Sequence, residues 1–280
     1  MTIGVLAAVL FAALLHALWN SLVKQGADKF LSSALTCLCC GAIALVVALA
    51  LPAPAGAALP YVVASGIIHV AYFLLVGRLY RDADLSVSYP VMRGLAPVMS
   101  AAGALVWLGE QPTPAAAAAI ALLVAGVLWM AREGFRQKGA DAAALAASLV
   151  NSAIIALYTL IDGEGARLAG NPFAYNAWAD ALTAAFYLPL TLALRGEGVW
   201  RALRADWARS SLSGAAAFVG YAIVIWAMTR APIAPVAALR ETSVVFAAFI
   251  GVYFLGEPGG KSRYFAVGLI LAGVLALRLG

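Results

Sequence analysis

The side chains with chemistry to offer are few, and each stands among apolar neighbours. His16, Trp19 and Asn20 are spaced three and four apart, so a helix carries them on one face. Ser65, His69, Tyr72 and Phe73 repeat the arrangement; Tyr89, Arg93 and Pro97 share a third face, and Asn151, Ile155, Tyr158 and Asp162 a fourth. Imidazole, phenol, indole and guanidinium groups placed this way can orient a small polar molecule, and an imidazole can also carry a proton. Polar groups at such depth are costly, so these faces should point at protein or at a watery cavity.

Composition decides what positions them. Hydrophobic residues make up 64% of the 280 and charged ones 11%, with a mean hydropathy of +0.95, far more apolar than a soluble domain of that length. A hydrocarbon core of about 30 Å takes about 20 helical residues to cross. The chain divides at polar or Gly/Pro-containing breaks into ten such segments: Ile3 to Val23, Phe30 to Leu51, Leu59 to Tyr80, Leu85 to Leu108, Pro114 to Ala131, Ala142 to Ile161, Phe173 to Leu194, Ser210 to Thr229, Ile233 to Leu255 and Tyr264 to Leu277. The expected fold is an all-α membrane protein of ten transmembrane helices, with no room for a soluble domain and no cleaved signal at its start.

The net charge of +5 resides in the loops, where lysine and arginine set orientation, and needs no nucleic-acid partner. Loops after the odd-numbered spans hold thirteen basic residues, from Lys24 to Arg263; the opposite side holds Arg167, Arg230 and Arg278. That bias puts the odd-numbered loops in the cytoplasm and both termini outside.

The chain also repeats itself. Arg93 falls on Arg240, Leu108-Gly109-Glu110 on Leu255-Gly256-Glu257, and Ala125-Gly126-Val127-Leu128 on Ala272-Gly273-Val274-Leu275, all at one offset without a gap. A second, weaker offset lays Trp19 on Tyr158 and Gly26-Ala27 on Gly165-Ala166. Two units follow, residues 1–137 and 141–280, joined by a short charged cytoplasmic linker. Five spans is an odd number, so the second unit enters the membrane inverted. Inverted repeats of this kind hold their substrate near the bilayer midplane, in a central cavity between the halves.

On this plan the candidate substrate-binding residues are His16, Trp19, Asn20, His69, Tyr72, Tyr89, Arg93, Tyr158, Trp178, Tyr221 and Arg240. Each also has a structural reading: histidines and aromatics pack helices or form interfacial belts. Arg93, about 25 Å along its helix from Glu110, would snorkel to headgroups near the other membrane face. Glu110 and Glu257 are expected in structural turns, Glu110 as the cap opening the turn into the fifth helix. Pro90, Pro97 and Pro235 are expected to permit movement of the fourth and ninth helices. Cys37, Cys39 and Cys40 read as small buried hydrophobes, matching neither a disulfide framework nor a zinc pattern. No metal or cofactor is expected. Neither a His-Glu-x-x-His pattern nor a Gly-x-Ser-x-Gly elbow occurs, which leaves an intramembrane enzyme a remote alternative.

The opening His-Ala-Leu-Trp-Asn-x3-Lys, the two five-span halves and the repeated Arg-x14-Leu-Gly-Glu leading to Ala-Gly-Val resemble the EamA-domain proteins of the drug/metabolite transporter superfamily. The resemblance spans nearly the whole chain, and the aromatic amino-acid exporters of the bacterial inner membrane are similar in size. It implies a multi-pass inner-membrane exporter of small metabolites working by alternating access, sufficient as a monomer in the lipid bilayer. Trp19, His69, Tyr72, Tyr89, Arg93, Tyr158 and Trp178 would then lie on cavity-lining helices. The family's small relatives couple export to protons through a glutamate in the first helix; here that helix holds no acid, which leaves facilitated diffusion or coupling through His16. Ile155 stands where the repeat would require a counterpart of His16, so both histidines are expected to orient substrate or hold helices. Amino acids, including bulky apolar or aromatic ones, are the expected cargo, with Arg93 and Arg240 attracting the carboxylate. Lipophilic cations are the alternative, opposed by the scarcity of buried acids, for which only Asp180 and Glu241 present themselves.

The orientation has a direct test. Single cysteines introduced as Gly196→Cys and Gly139→Cys should react with a membrane-impermeant thiol reagent only in opened cells, whereas one appended after Gly280 should react in intact cells. The reverse pattern contradicts the assignment.

Overall fold

The computed structural model describes residues 1–82, 85–138, 142–254 and 261–279, apart from the side chains of 77–90, 130–131, 133–138, 251–252, 254, 261–263 and 279. The described chain is all helical, with twelve α-helices and one 3₁₀ turn: α1 Ile3–Gln25, α2 Lys29–Ala50, a turn at Gly56–Ala58, α3 Leu59–Asp82, α4 Leu85–Leu108, α5 Pro114–Lys138, α6 Ala142–Leu168, α7 Pro172–Arg195, α8 Gly198–Ala205, α9 Trp207–Met228, α10 Ile233–Arg240, α11 Ser243–Phe254 and α12 Lys261–Leu279. Eight stretches are long and apolar enough to cross a membrane, and Pro114–Trp129 and Tyr264–Arg278 are shorter apolar helices. Bulky apolar side chains face outward along them, Val106 at 86% exposure and Leu49 at 73% among them. That inversion suits lipid as solvent, since only backbone satisfied within its own helix can stand there.

Local chemistry sets the helix ends. Asp28 caps α2 by accepting from the Leu31 amide at 3.1 Å. Asn171 caps α7, accepting from Phe173 and Ala174, with Pro172 at the first helical position where its missing N–H costs nothing. Gly109, at φ +67°, turns the chain out of α4 in a conformation other residues resist.

Two features depart from the expected ten continuous spans. The connection after α7 contains a short amphipathic helix, α8, which buries Val199 and exposes Trp200, Arg201 and Arg204. Such a helix lies in the interface plane rather than across it. The ninth span is interrupted between α10 and α11. Glu241 and Thr242 donate their amides three residues back, to Ala238 and Leu239, so the helix tightens and changes course there. Pro235 is not the break: it sits in the first turn of α10, where proline is tolerated. α4 runs on through Pro97, whose missing N–H leaves the Arg93 carbonyl without its usual helical donor.

Helix contacts recur in pairs. α1 packs on α9 as α6 packs on α3, α2 on α9 as α7 on α3, and α4 on α6 as α10 and α11 on α1; α2 meets α7, and α5 meets α12. The α5–α12 crossing shows the pairing atom by atom. A Cβ placed on Gly126 would come within 2.8 Å of the Ala266 carbonyl oxygen and 2.6 Å of Ile270. One placed on Gly273 would come within 2.9 Å of the Ala119 carbonyl oxygen and 2.7 Å of Leu123. The repeated Ala-Gly-Val is thus a close-packing device of the small-residue kind found between membrane helices.

Gly126→Val and Gly273→Val should each destabilise the protein by about 1–3 kcal/mol through overpacking against backbone that cannot yield. Thermal unfolding in detergent, followed by tryptophan fluorescence, should show a lower midpoint for both and little change for Gly268→Val, whose Cβ would meet nothing within 4 Å.

Candidate functional site

The interior of the bundle holds three charged side chains side by side. Arg93 of α4 is fully buried, and its Nε lies 2.7 Å from Glu241 Oε2 at the α10–α11 break. Arg240 Nε lies 3.8 Å from the other carboxylate oxygen of Glu241. Arg93 therefore does not snorkel to headgroups; it is held by an acid of the facing helix. The repeat explains why there are two arginines and one acid, because the position equivalent to Glu241 in α4 is Gly94. Arg240 is left with the weaker share of Glu241 and places its guanidinium carbon 5.8 Å above the ring of Tyr158, a cation–π arrangement.

Tyr158 belongs to a box of rings built from α3, α6 and α9. His69 lies 4.3 Å from Tyr158, 5.6 Å from Tyr221 and 6.4 Å from Tyr72, measured between ring centroids. Tyr72 lies 5.6 Å and Tyr221 6.1 Å from Tyr158, both edge to face, as the ring quadrupoles prefer. His69 Nδ1 is positioned by Ser65, 3.2 Å from its hydroxyl and 3.0 Å from its carbonyl. Beyond Tyr221 stands Asp162, fully buried, accepting hydrogen bonds from the hydroxyls of Tyr221 and, at 2.9 Å, Tyr175.

The other expected site residues divide clearly. On α1, Trp19 Nε1 donates to His16 Nδ1 at 3.2 Å and Asn20 Nδ2 to the His16 carbonyl at 2.8 Å. An accepting Nδ1 puts the imidazole proton on Nε2, and that buried atom has no partner among the described residues. The Trp19 ring packs with Val23 and Ala216. Trp178 of α7 packs in one cluster with Tyr175 and Tyr221, its buried indole N–H without a partner among the described residues. Pro97 and Pro235 are buried in α4 and α10. The side chains of Tyr89 and Pro90 lie outside the described residues, as does Glu257 altogether.

Glu110 has a structural place, though not the one expected. Its carboxylate accepts from Arg167 at 2.6 Å and from the Ile233 amide at 2.8 Å, so it caps α10 rather than the α4–α5 turn. Arg167 also donates to the Met228 carbonyl at 3.0 Å and the Ala231 carbonyl at 3.3 Å. One ion pair thereby ties together the ends of α4, α6 and α9 and the start of α10.

Asp162, Glu241 and Tyr175 were missing from the expected site. The estimate that only Asp180 and Glu241 could neutralise a buried cation is corrected by Asp162, which is fully enclosed. Its signal was present: an acid inside an apolar span, one helical turn beyond Tyr158 on the same face.

Comparison with known proteins decides the family. Residues 142–279 match the model of the EamA-like transporter family. Guanidinium exporters of Citrobacter freundii, Salmonella typhimurium and Klebsiella oxytoca are each 35% identical to the chain over 71 residues, 25% of this chain and 68% of theirs. The chain belongs to the EamA-like transporter family. A protein of known crystal structure, 19% identical, superposes with a TM-score of 0.70 over 98% of this chain and 95% of its own, so the two share a fold. This EamA-like protein is a multi-pass membrane transporter, and the buried charges and rings stand where its helices converge.

The arginine–glutamate pair has a measurable consequence. Glu241→Gln strands Arg93 and Arg240 with no acid between them and should cost about 3–5 kcal/mol, whereas Arg93→Gln, which leaves Glu241 to Arg240, should cost less and, combined with Glu241→Gln, should recover part of the loss. Unfolding midpoints for the two single variants and the double one check this as a thermodynamic cycle.

Proposed function

We propose that this transporter exports small zwitterionic metabolites, amino acids with aromatic or bulky apolar side chains foremost, by alternating access. The observation that carries the reading is the ring box of His69, Tyr72, Tyr158 and Tyr221 laid against Arg240, whose charge is only partly met by Glu241. Such a grouping offers rings to an apolar side chain and a cation to a carboxylate. The free Nε2–H of His16, on the helix that packs against α10, supplies a further donor for the same carboxylate. Arg93 acts differently from Arg240: by holding Glu241 it keeps that acid from cancelling Arg240 entirely.

The architecture proposed for this function is two inverted five-helix repeats, residues 1–137 and 141–280, around the box, in a bacterial inner membrane with both termini periplasmic. The reciprocal glycine contacts of α5 and α12 and the paired helix contacts support it. In that orientation the Glu110–Arg167 tie lies on the periplasmic side, and the Arg195–Asp28 pair, 3.4 Å apart, on the cytoplasmic side.

Export of organic cations is the second reading. It is favoured by Asp162, a buried acid among aromatic rings, and by the guanidinium exporters to which part of the chain is similar.

A panel of labelled substrates in proteoliposomes separates the two. Phenylalanine, tyrosine, tryptophan and leucine should be taken up, in competition with one another, while guanidinium and a quaternary ammonium drug should neither be carried nor compete. Transport of the cations alone overturns the amino-acid reading.

A further inference from the structure

The interior contains a second charge that the carboxylate-binding side of the site leaves unused. Asp162 lies on α6 one turn beyond Tyr158 and has no measurable exposure. Its two carboxylate oxygens accept from Tyr175, itself fully buried, at 2.9 Å and from Tyr221. Both partners are neutral hydroxyls, and no cationic side chain forms a salt bridge with Asp162 among the described residues. A carboxylate enclosed in a membrane bundle normally pairs with a cation or marks a substrate path. On the other side of the box the charges of Arg93, Arg240 and Glu241 add to one positive. Among the described residues the rings thus have a carboxylate, Asp162, at one side and the net positive Arg93–Arg240–Glu241 cluster at the other: Tyr221 touches Asp162 through its hydroxyl and lies 6.1 Å from Tyr158, over which Arg240 sits. His69 lies 5.6 Å from Tyr221, which bonds Asp162, and 4.3 Å from Tyr158, over which Arg240 sits.

We infer that Asp162 binds the ammonium group of the cargo, opposite Arg240 at the carboxylate, so that the site recognises a zwitterion by two poles rather than an anion by one. The inference rests on the zwitterion reading above and names the residue that would make it selective for an amine. Tyr175 and Tyr221 are its positioning residues. Their hydroxyls hold the carboxylate in one orientation when no cargo is present, and each oxygen retains a lone pair for an incoming N–H. An ammonium donated to a carboxylate in this low-dielectric setting gains far more than it would in water, while a cargo lacking the amine leaves Asp162 uncompensated beside it.

The test compares three probes that share a benzyl side chain and a carboxylate in proteoliposomes of the full chain: phenylalanine, 3-phenylpropanoate, which lacks the amine, and N-acetylphenylalanine, whose nitrogen is neutral and carries an acetyl group. The unaltered protein should carry phenylalanine and discriminate against the other two by roughly tenfold to a hundredfold, the worth of one hydrogen bond to a charged group. Asp162→Asn should lose most of its phenylalanine transport and carry 3-phenylpropanoate as well as or better than before, because the acid no longer repels it. Asp162→Glu should keep the preference for the amine. A merely structural aspartate would lower all three rates together and leave their ratios fixed. Equal transport of the three probes by the unaltered protein overturns the inference even if no Asp162 variant folds, and so does an unchanged ratio in Asp162→Asn; either result leaves amino-acid export standing. Absence of phenylalanine transport by the unaltered protein instead overturns the zwitterion reading and the inference resting on it.

Discussion

The cost of charge in hydrocarbon organises this molecule. Arg93, Arg240 and Glu241 would each be prohibitive alone at this depth, and together they form a cluster that must be closed off from lipid by the surrounding helices. α4 carries one arginine to the cluster and α10 the other, while α6 supplies the ring over which Arg240 rests. The helix break at Glu241–Thr242 belongs to the same constraint. It turns the Glu241 carboxylate toward Arg93 and frees backbone groups where polar side chains can attend to them, which irregular backbone in a membrane requires.

Around that centre the packing is made from small residues. Water-driven association is weak between helices that face lipid, so close approach of backbones does the work that large apolar contacts do in soluble proteins. Gly126 and Gly273 do this for α5 and α12. Gly66 sits against Leu182 and the Thr183 amide, and Gly214 against Cys39 and the Cys40 amide, a second pair of matched contacts between α3 and α7 and between α9 and α2. Thr36 and Ser213, 2.8 Å apart, add a hydroxyl link between α2 and α9.

The helices were legible in the sequence because hydropathy and length are sufficient for a membrane span; most observed ends fall close to the expected ones, while α5 runs on past Ala131 to Lys138 and α6 past Ile161 to Leu168 in polar residues that hydropathy does not count. The break in the ninth span was not legible, since no proline or glycine marks Glu241–Thr242; it coincides with the ion pair between Glu241 and Arg93 of another helix, which spacing within one span cannot show. α8 was overlooked because eight residues are too few for a hydropathy signal, although Val199 and Trp200 beside Arg201 and Arg204 give it two unlike faces. Within the site, His69, Tyr72, Tyr158 and Tyr221 could be named from their depth and spacing, and the structure brings their rings together. Trp19 shares a helix face with His16 and donates to its ring, while the indole also packs on Val23 and Ala216. Asp162 was passed over because spacing within α6 cannot show that tyrosines from α7 and α9 converge on it.

The α5–α12 crossing carries a mechanical consequence. Each glycine faces the backbone of the opposite helix, so sliding either helix by a turn would drive Leu122 or Leu277 into the space that only hydrogen now fills. Around the contact point Leu123, Val127, Ile270 and Val274 pack in one buried cluster and the rings of Trp129 and Phe265 lie 4.6 Å apart, so the angle between the axes is held as well as their position. The two helices are therefore locked to one another as a single body. Any tilting of one group of helices against the other would have to keep Gly126 and Gly273 against the backbones they face.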